Sequence, residues 1–238
     1  MDILYWPTVD LILWGFISTF IDRMKWNAPN AISLLLGGTI LWTIFRRSQQ
    51  DVALAFLEDI WYRNVINLFV SPLKVSEYIV GGIIVAVIKN AFVLLYMGAL
   101  AVVLYHFNII TFGFSLVPFV VLLGIFGWAV GIFLCAIIFR FGTESQILAF
   151  SISFLIQPVS AVFYPVSVLP PFAQNIAWSL PTTPIFEGMR QVIGGARFSM
   201  NLFWLALGLN AVYLILACLF YAWMFRRVRE LGLISKVE

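Results

Sequence analysis

The chain has 238 residues, of which 63% are hydrophobic and only 11% are charged, and its mean hydropathy is +1.02. Because a soluble globular domain carries about 25% charged residues, this composition excludes a soluble protein and indicates an integral membrane protein. The net charge of +3 is not gathered into a basic stripe, which excludes a nucleic-acid partner, and the single histidine excludes a multi-histidine metal site.

Apolar segments taken in chain order predict an all-α integral membrane fold with six transmembrane helices in one domain, 1–238. The first two segments are short, since helices of 15 and 17 residues rise only about 22–26 Å, against ~30 Å for the hydrocarbon core. They are expected to form a hairpin with its tip at residues 22–30. The predicted spans are residues 5–21, 31–45, 78–105, 116–139, 147–164 and 200–225.

Lysine and arginine side chains are unevenly distributed between the two sides that these spans define. Nine lie in the C-terminal tail, in the segment after the second span and in the loop after the fourth, against four on the other side. At the first hairpin the two sides have equal numbers of lysine and arginine residues, so the predicted orientation depends on the later segments. Because positive charge accumulates on the cytoplasmic side of a membrane, both termini are predicted to be cytoplasmic.

The first span and the third and fourth spans contain polar or small residues whose role is open. Lys89 and Asn90 lie inside the third span, where a charge costs about 2.5–3.5 kcal/mol, and they either form structural pairs or line a pathway. Asp10 lies early enough in the first span to reach the cytoplasmic interface. Gly127 and Gly131 form a G-x-x-x-G pattern, which favours close helix packing within the protomer.

Residues 46–77, between the second and third spans, are predicted to be a cytoplasmic segment. Three acids and one arginine hold the polar face of its first part, which favours a partner protein over an anionic membrane surface. A helix lying on the membrane surface is the alternative. A second short helix, 64–70, ends at Ser71-Pro72, where proline forces a turn. Two apolar rows predict the amphipathic helix, Val52, Phe56 and Ile60 beside Ala53, Leu57 and Trp61, with Asp51, Glu58, Asp59 and Arg63 on the remaining surface.

The stretch "VFYPVSVLPPFAQNIAWSLPTTPIFEGMR", residues 162–190, places several prolines between two long apolar stretches. Residues 172–180 are predicted to form a short helix, and Thr182 or Thr183 to cap a second one with Pro184 in its first turn. Glu187 and Arg190 are three residues apart and are expected to pair on one helix face. Too few residues lie between the prolines for two further spans, and many of them are apolar. We therefore predict a re-entrant helical hairpin over 165–190, with an ordinary extracellular loop as the alternative.

Two separated motifs and the opening of the chain resemble the permeases of ABC type-2 exporters. "FLEDIWYRNVINLFVSPLKVSEYIVGG", residues 56–82, is similar to the cytoplasmic loop of that family, in which an acidic-then-basic helix precedes a Ser-Pro turn. "YPVSVLPPFAQNIAWSLPTTPIFEGMR", residues 164–190, resembles the family signature P-x-S-x-L-P followed by P-T-x-P-x-x-E-x-x-R, and "YWPTVDLILWGF" resembles its first span. One departure is the start, because the family usually has a longer amphipathic helix where this chain has Met1–Pro7.

The resemblance implies an ATP-driven exporter of the polysaccharide, lipid or drug class in a bacterial inner (plasma) membrane. A coupling helix would dock on a separate nucleotide-binding subunit, which would hold ATP and Mg²⁺, and a second permease chain would complete a homo- or heterodimer surrounded by membrane lipid. The implied coupling residues are Glu58, Asp59, Trp61, Arg63, Asn64, Ser71, Pro72, Leu73, Lys74 and Glu77. The implied gate residues of the re-entrant hairpin are Pro165, Ser167, Pro170, Pro171, Pro181, Thr182, Pro184, Glu187 and Arg190.

No catalytic site is predicted on this chain. It contains no G-x-x-x-x-G-K-[ST] phosphate loop and no hydrolase motif of the H-E-x-x-H or G-x-S-x-G type. Two other functions remain open, a non-ABC carrier or channel and a structural membrane subunit. The high aromatic content slightly favours a glycan or a lipid-like amphiphile as the substrate.

Overall fold

The computed structural model describes residues 2–24, 30–61 and 75–230, and within these ranges the chain is built from α-helices joined by turns and short 3-10 helices. No strand occurs in this part of the chain, which confirms the all-α prediction there. The helices are α1 Asp2–Arg23, α2 Ala31–Trp61, α3 Val75–Tyr105, α4 Leu116–Phe141, α5 Gln146–Ile156, α6 Pro171–Ser179, α7 Thr182–Ile193 and α8 Met200–Glu230.

Four stretches of the described chain are helical, long and apolar enough to cross a membrane. They correspond to the first, third, fourth and sixth predicted spans. Three of them extend one or more residues beyond the predicted bounds, whereas the one for the third predicted span starts two residues later than predicted and ends at the predicted residue. The stretches are Leu4–Arg23, Val80–Tyr105, Ile109–Phe141 and Met200–Val228.

The second and fifth predicted spans differ from the expected helices. The second, 31–45, is only the first half of α2, which continues without a break to Trp61 through the charged residues that follow Phe45. The fifth, 147–164, is helical only to Ile156 and then forms a 3-10 turn over Gln157–Val159. Pro158 explains this early end, because its ring lacks an N–H group and clashes with the carbonyl one turn earlier in an α-helix.

Helix α4 lies at the centre of the fold. In its most apolar stretch 61% of the residues are buried, against 28% or fewer in α1, α3 and α8. Its large side chains Phe119, Phe126 and Phe139 are almost fully buried, and Phe126 stacks on Phe45 of α2 with ring centroids 5.1 Å apart. The three outer helices consequently present wide apolar surfaces that a bilayer would cover.

Two glycines of α4 bring it into backbone contact with α2. A Cβ atom added at Gly127 would lie 2.5 Å from the Cβ atom of Ser48 and 2.7 Å from the carbonyl oxygen of Phe45. One added at Gly131 would lie 2.9 Å from the carbonyl oxygen of Gln49. Real Cβ contacts are rarely this short, so only glycine permits the approach. The predicted packing role of the G-x-x-x-G pattern within the protomer is confirmed.

Candidate functional site

The second half of α2 carries the start of the predicted coupling segment. Ala53 and Leu57 are fully buried, whereas Glu58 is exposed, as the amphipathic pattern predicted for these positions. Asp51 departs from that pattern, because its side chain is only 15% exposed and faces the bundle rather than the open surface. The cause is a long-range partner, Lys89 of α3, whose Nζ atom lies 3.6 Å from Asp51 Oδ1.

Most of the predicted coupling residues lie outside the part of the chain that the structure describes. All predicted coupling residues between 63 and 74 lie outside the described ranges. For three further positions the backbone is helical but the side chain is not described. The residues concerned are Arg63, Asn64, Ser71, Pro72, Leu73 and Lys74 in the first group and Asp59, Trp61 and Glu77 in the second. Their role stays a prediction.

The sequence "RRSQQD", Arg46–Asp51, forms a buried polar stretch in the middle of α2. It begins the segment that is predicted to be cytoplasmic, and its side chains pack against three other helices. Arg46 is 11% exposed and its Nη2 atom lies 2.5 Å from Asp10 Oδ2 of α1, so Asp10 pairs with a neighbouring helix. Buried charges are stabilised only when they are paired and hydrogen-bonded. The polar residues of this stretch therefore find their partners inside the bundle.

Lys89 and Asn90 of α3 meet this polar stretch directly. The Asn90 side-chain nitrogen donates to Ser48 Oγ at 2.7 Å, and Asn90 is only 6% exposed. Lys89 remains 39% exposed while its ammonium group contacts Asp51. These contacts favour the structural-pairing interpretation of both residues, and a role in lining a pathway stays a prediction.

Gln49 is a residue that the sequence reasoning did not single out. It is fully buried, and its side-chain amide makes two hydrogen bonds to α5. Its Nε2 atom donates to the carbonyl oxygen of Ala149 at 3.0 Å, and its Oε1 atom accepts from Ser153 Oγ at 2.7 Å. The only sequence signal is that Gln49 and Ser153 are polar residues flanked by apolar helix, which by itself names no partner.

The proline-rich segment forms two short helices, as predicted. Helix α6 starts at Pro171 after Pro170, whose backbone is extended with φ −62° and ψ 153°, and it ends one residue earlier than the predicted 172–180. Pro184 lies in the first turn of α7, which confirms that prediction. Pro165 has the same extended backbone before a 3-10 turn that contains the exposed Ser167.

The predicted threonine cap of α7 is wrong. Thr182 and Thr183 are the first two residues of the helix, and Pro181 occupies the capping position, where its side chain has no atom that can accept a hydrogen bond from the first turn. Both threonines are fully buried, and their hydroxyl groups have no hydrogen-bond partner among the described residues. The turn at Pro181 starts the helix one residue earlier than a threonine cap would allow.

Glu187 and Arg190 form the predicted pair on α7, with Arg190 Nη2 3.2 Å from Glu187 Oε1. The pair also binds the turn that follows α5. Arg190 donates to the carbonyl oxygens of Ala161 at 2.7 Å and Val162 at 3.4 Å, and Glu187 Oε1 accepts from the Val166 backbone N–H at 2.8 Å. Charge-assisted hydrogen bonds of this kind are roughly twice as strong as neutral ones. The pair therefore holds the turn that follows α5 against α7.

A family model described as an ABC-2 family transporter protein matches residues 63–227. The match includes α3 to α7 and α8 up to residue 227, and so both partners of the Glu187–Arg190 pair, the whole proline-rich segment and the two packing glycines of α4. A comparison with curated proteins gives no match. Because the matched range covers more than half of the 238 residues, the protein belongs to the ABC-2 family of transporter proteins.

Proposed function

We propose that the chain is the membrane-spanning permease subunit of an ATP-driven ABC exporter, which moves an amphiphilic substrate such as a glycan, lipid or drug out of the cytoplasm. The observation that carries the proposal is the family match over residues 63–227. A separate nucleotide-binding subunit would bind ATP and Mg²⁺, and two permease chains would pair to form the pathway between them.

Six membrane spans are proposed for this subunit, with both termini in the cytoplasm of a bacterial inner membrane. The four long apolar helices would be joined by α2 and by residues 147–164, in which α5 spans only part of the membrane and the 3-10 turn and the chain that follows it complete the crossing. Support for α2 comes from its buried polar stretch, because Asp10, Lys89 and Asn90 supply partners that reduce the cost of carrying charge into the membrane. With 31 residues α2 is about 46 Å long, enough to cross a core of ~30 Å and continue beyond it.

The two short helices of the proline-rich segment are proposed to form a re-entrant hairpin at the outer side. They have 9 and 12 residues and rise only about 14 and 18 Å, too little to cross the membrane. Phe172 and Ile176 of α6 are exposed apolar residues that suit contact with lipid or with a second protomer. Two such hairpins, each held by its Glu187–Arg190 pair, would narrow the outer end of the pathway.

Coupling is proposed to act through the second half of α2. Because α2 runs from Ala31 to Trp61 as one continuous helix, it contains no break between the coupling segment and the bundle. A nucleotide-binding subunit bound to residues 58–77 would therefore displace α2 as one rigid helix, and α2 packs against α4. The exposed Glu58 is placed to contact such a partner.

The test is charge reversal at the coupling segment. The chain is co-expressed and purified with a candidate ATP-binding-cassette subunit, and both are reconstituted into liposomes for measurement of ATP hydrolysis. The native complex is expected to hydrolyse ATP faster than the nucleotide-binding subunit alone. The Glu58→Lys and Asp59→Lys double variant is expected to lose this increase while it still inserts into the membrane. Glu230→Lys, at the exposed end of α8, is the matched control and should leave hydrolysis unchanged.

Two results would contradict this function. Unchanged ATP hydrolysis in the double variant would remove the coupling role from α2. Ion-gradient-driven transport by the purified chain alone would identify a non-ABC carrier instead.

Topology is tested separately by labelling single cysteines with a membrane-impermeant maleimide. A cysteine at Val168, which is an exposed residue of the proline-rich segment, should react from outside intact cells. One at Glu230 should react only after the membrane is opened. The reverse pattern would overturn the proposed orientation.

A further inference from the structure

The hydrogen bonds of Gln49 connect two helices at one defined axial position. Ala149 and Ser153 are one helical turn apart on α5, and the single amide of Gln49 binds a group on each. A slide of α5 along its axis by one residue is about 1.5 Å, and together with the 100° rotation that restores helical phase it would break both bonds. The pair of bonds, which we call the α5 register contact, therefore specifies how α5 sits along α2.

The α5 register contact lies where α2 is held most tightly by α4. A Cβ atom added at Gly127 would lie 3.0 Å from the Gln49 backbone nitrogen, and one at Gly131 would lie 2.9 Å from its carbonyl oxygen. The thiol of Cys135, one turn further along α4, donates to the Val52 carbonyl oxygen at 3.5 Å. Helices α2 and α4 are consequently in close backbone contact around Gln49. Helix α5 is hydrogen-bonded to α2 through the Gln49 side chain.

The far end of α5 leads into the turn that the Glu187–Arg190 pair holds. Ser153 is eight residues before Ala161, and the carbonyl oxygens of Ala161 and Val162 both accept from Arg190. Polar contacts thus join α2 to α5, and further contacts join the turn that follows α5 to α7. Ser153, Gln49 and Ala149 are all fully buried, so water does not compete for the α5 register contact.

We propose that Gln49 is a positioning residue that fixes the register of α5 against α2, so that displacement of α2 reaches the proline-rich segment through α5. The proposal rests on the proposed function in one respect, namely that a nucleotide-binding subunit displaces the second half of α2. A contiguous set of contacts does not by itself demonstrate coupling. The experiment therefore measures register first and coupling second.

The first measurement needs only the purified chain in lipid nanodiscs. Spin labels are attached at Ala55→Cys, an exposed position on α2, and at Val168→Cys, in a Cys218→Ser background that leaves only the buried Cys135. Electron–electron resonance then gives the distance distribution between the labels. Combining Gln49→Leu with Ser153→Ala is expected to broaden or shift this distribution, and Ser153→Thr, which keeps the hydroxyl group, is expected to retain the native one.

Two control variants separate loss of register from loss of any buried hydrogen bond. Ser18 and Asn210 are buried, and their hydrogen bonds to described residues stay within their own helices: Ser18 donates to the Gly15 carbonyl oxygen and Asn210 to the Ala206 carbonyl oxygen. Ser18→Ala and Asn210→Leu should therefore leave the distance distribution native. A native distribution in the Gln49→Leu and Ser153→Ala variant would overturn the proposal.

The second measurement adds the nucleotide-binding subunit, ATP and vanadate. In the native complex we expect the label distance to shift, and in the Gln49→Leu and Ser153→Ala variant we expect that shift to be lost while ATP hydrolysis continues. A shift that persists in the variant would overturn the coupling role of Gln49. If the native complex shows no shift, the proposed function fails instead, and the measurement on the chain alone still decides the register.

Discussion

The contact between α2 and α4 makes a sharp prediction at Gly127. The substitution is Gly127→Ala, and its matched control on the same helix face is Gly124→Ala. A Cβ atom at position 127 would lie 2.5 Å from the Ser48 Cβ atom and 2.7 Å from a backbone oxygen, whereas one at position 124 would lie 3.7 Å from Ser48 Oγ, an ordinary contact. The two variants add the same methyl group to the same helix and differ only in what it meets.

The expected magnitude follows from these distances. Carbon atoms pack best at about 3.5–4.0 Å, so relieving the 2.5 Å approach requires α2 and α4 to separate by about 1 Å. Overpacking of this kind costs about 1–3 kcal/mol of unfolding free energy, and the better helix propensity of alanine returns up to about 1 kcal/mol. Because the propensity gain is the same at both positions, we expect the unfolding free energy of Gly127→Ala to be about 1–3 kcal/mol below that of Gly124→Ala, which should itself be unchanged from the native chain or higher by up to about 1 kcal/mol.

The assay is reversible unfolding of the purified chain in mixed micelles with increasing sodium dodecyl sulfate, followed by tryptophan fluorescence. Gly131→Ala, with contacts of 2.7 and 2.9 Å, should behave like Gly127→Ala. Equal unfolding midpoints for Gly127→Ala and Gly124→Ala would refute the close α2–α4 packing on which the register of Gln49 depends.

Two further predictions concern charge pairs. Arg190→Ala should destabilise the chain by about 3–5 kcal/mol in the same unfolding assay, because it leaves the Glu187 carboxylate without its cation in a partly buried site. Glu187→Gln with Arg190→Met removes both charges and should recover part of that loss; a double variant worse than the single one would contradict this reasoning. Asp10→Ala should reduce the amount of inserted protein because Arg46 loses its partner, and the swap Asp10→Arg with Arg46→Asp should restore it on quantitative blots of the membrane fraction. No recovery in the swap would mean that the pair is not held together by charge.

Sequence patterns were sufficient where the interacting residues are close in the chain. Glu187 and Arg190 are three residues apart, so the helical repeat alone brings them together. The start of α6 and the first turn of α7 follow from prolines, which restrict the backbone locally. The close packing of Gly127 and Gly131 also follows from a four-residue spacing, although the spacing did not identify α2 as the partner helix.

The polar stretch of α2 could not be located from the sequence, because its partners are distant in the chain. Hydropathy counts Arg46 and Asp51 as separate costs, and only the folded bundle shows that Asp10 and Lys89 offset them. The prediction from hydropathy therefore ended the second span at residue 45. The same limit applies to Gln49, whose two hydrogen bonds are to residues about a hundred positions later.

The pairing of Arg46 with Asp10 bears on how the nascent chain enters the membrane. Helix α2 is not among the four stretches that qualify as spans by apolar composition, whereas α1, which leaves the ribosome before α2, is one of them. A helix with two adjacent arginines partitions poorly into lipid when it arrives alone. We therefore expect the insertion machinery to retain α1 until α2 emerges and to release the two as a neutralised pair, so that biogenesis of the whole bundle begins with one aspartate in its first helix.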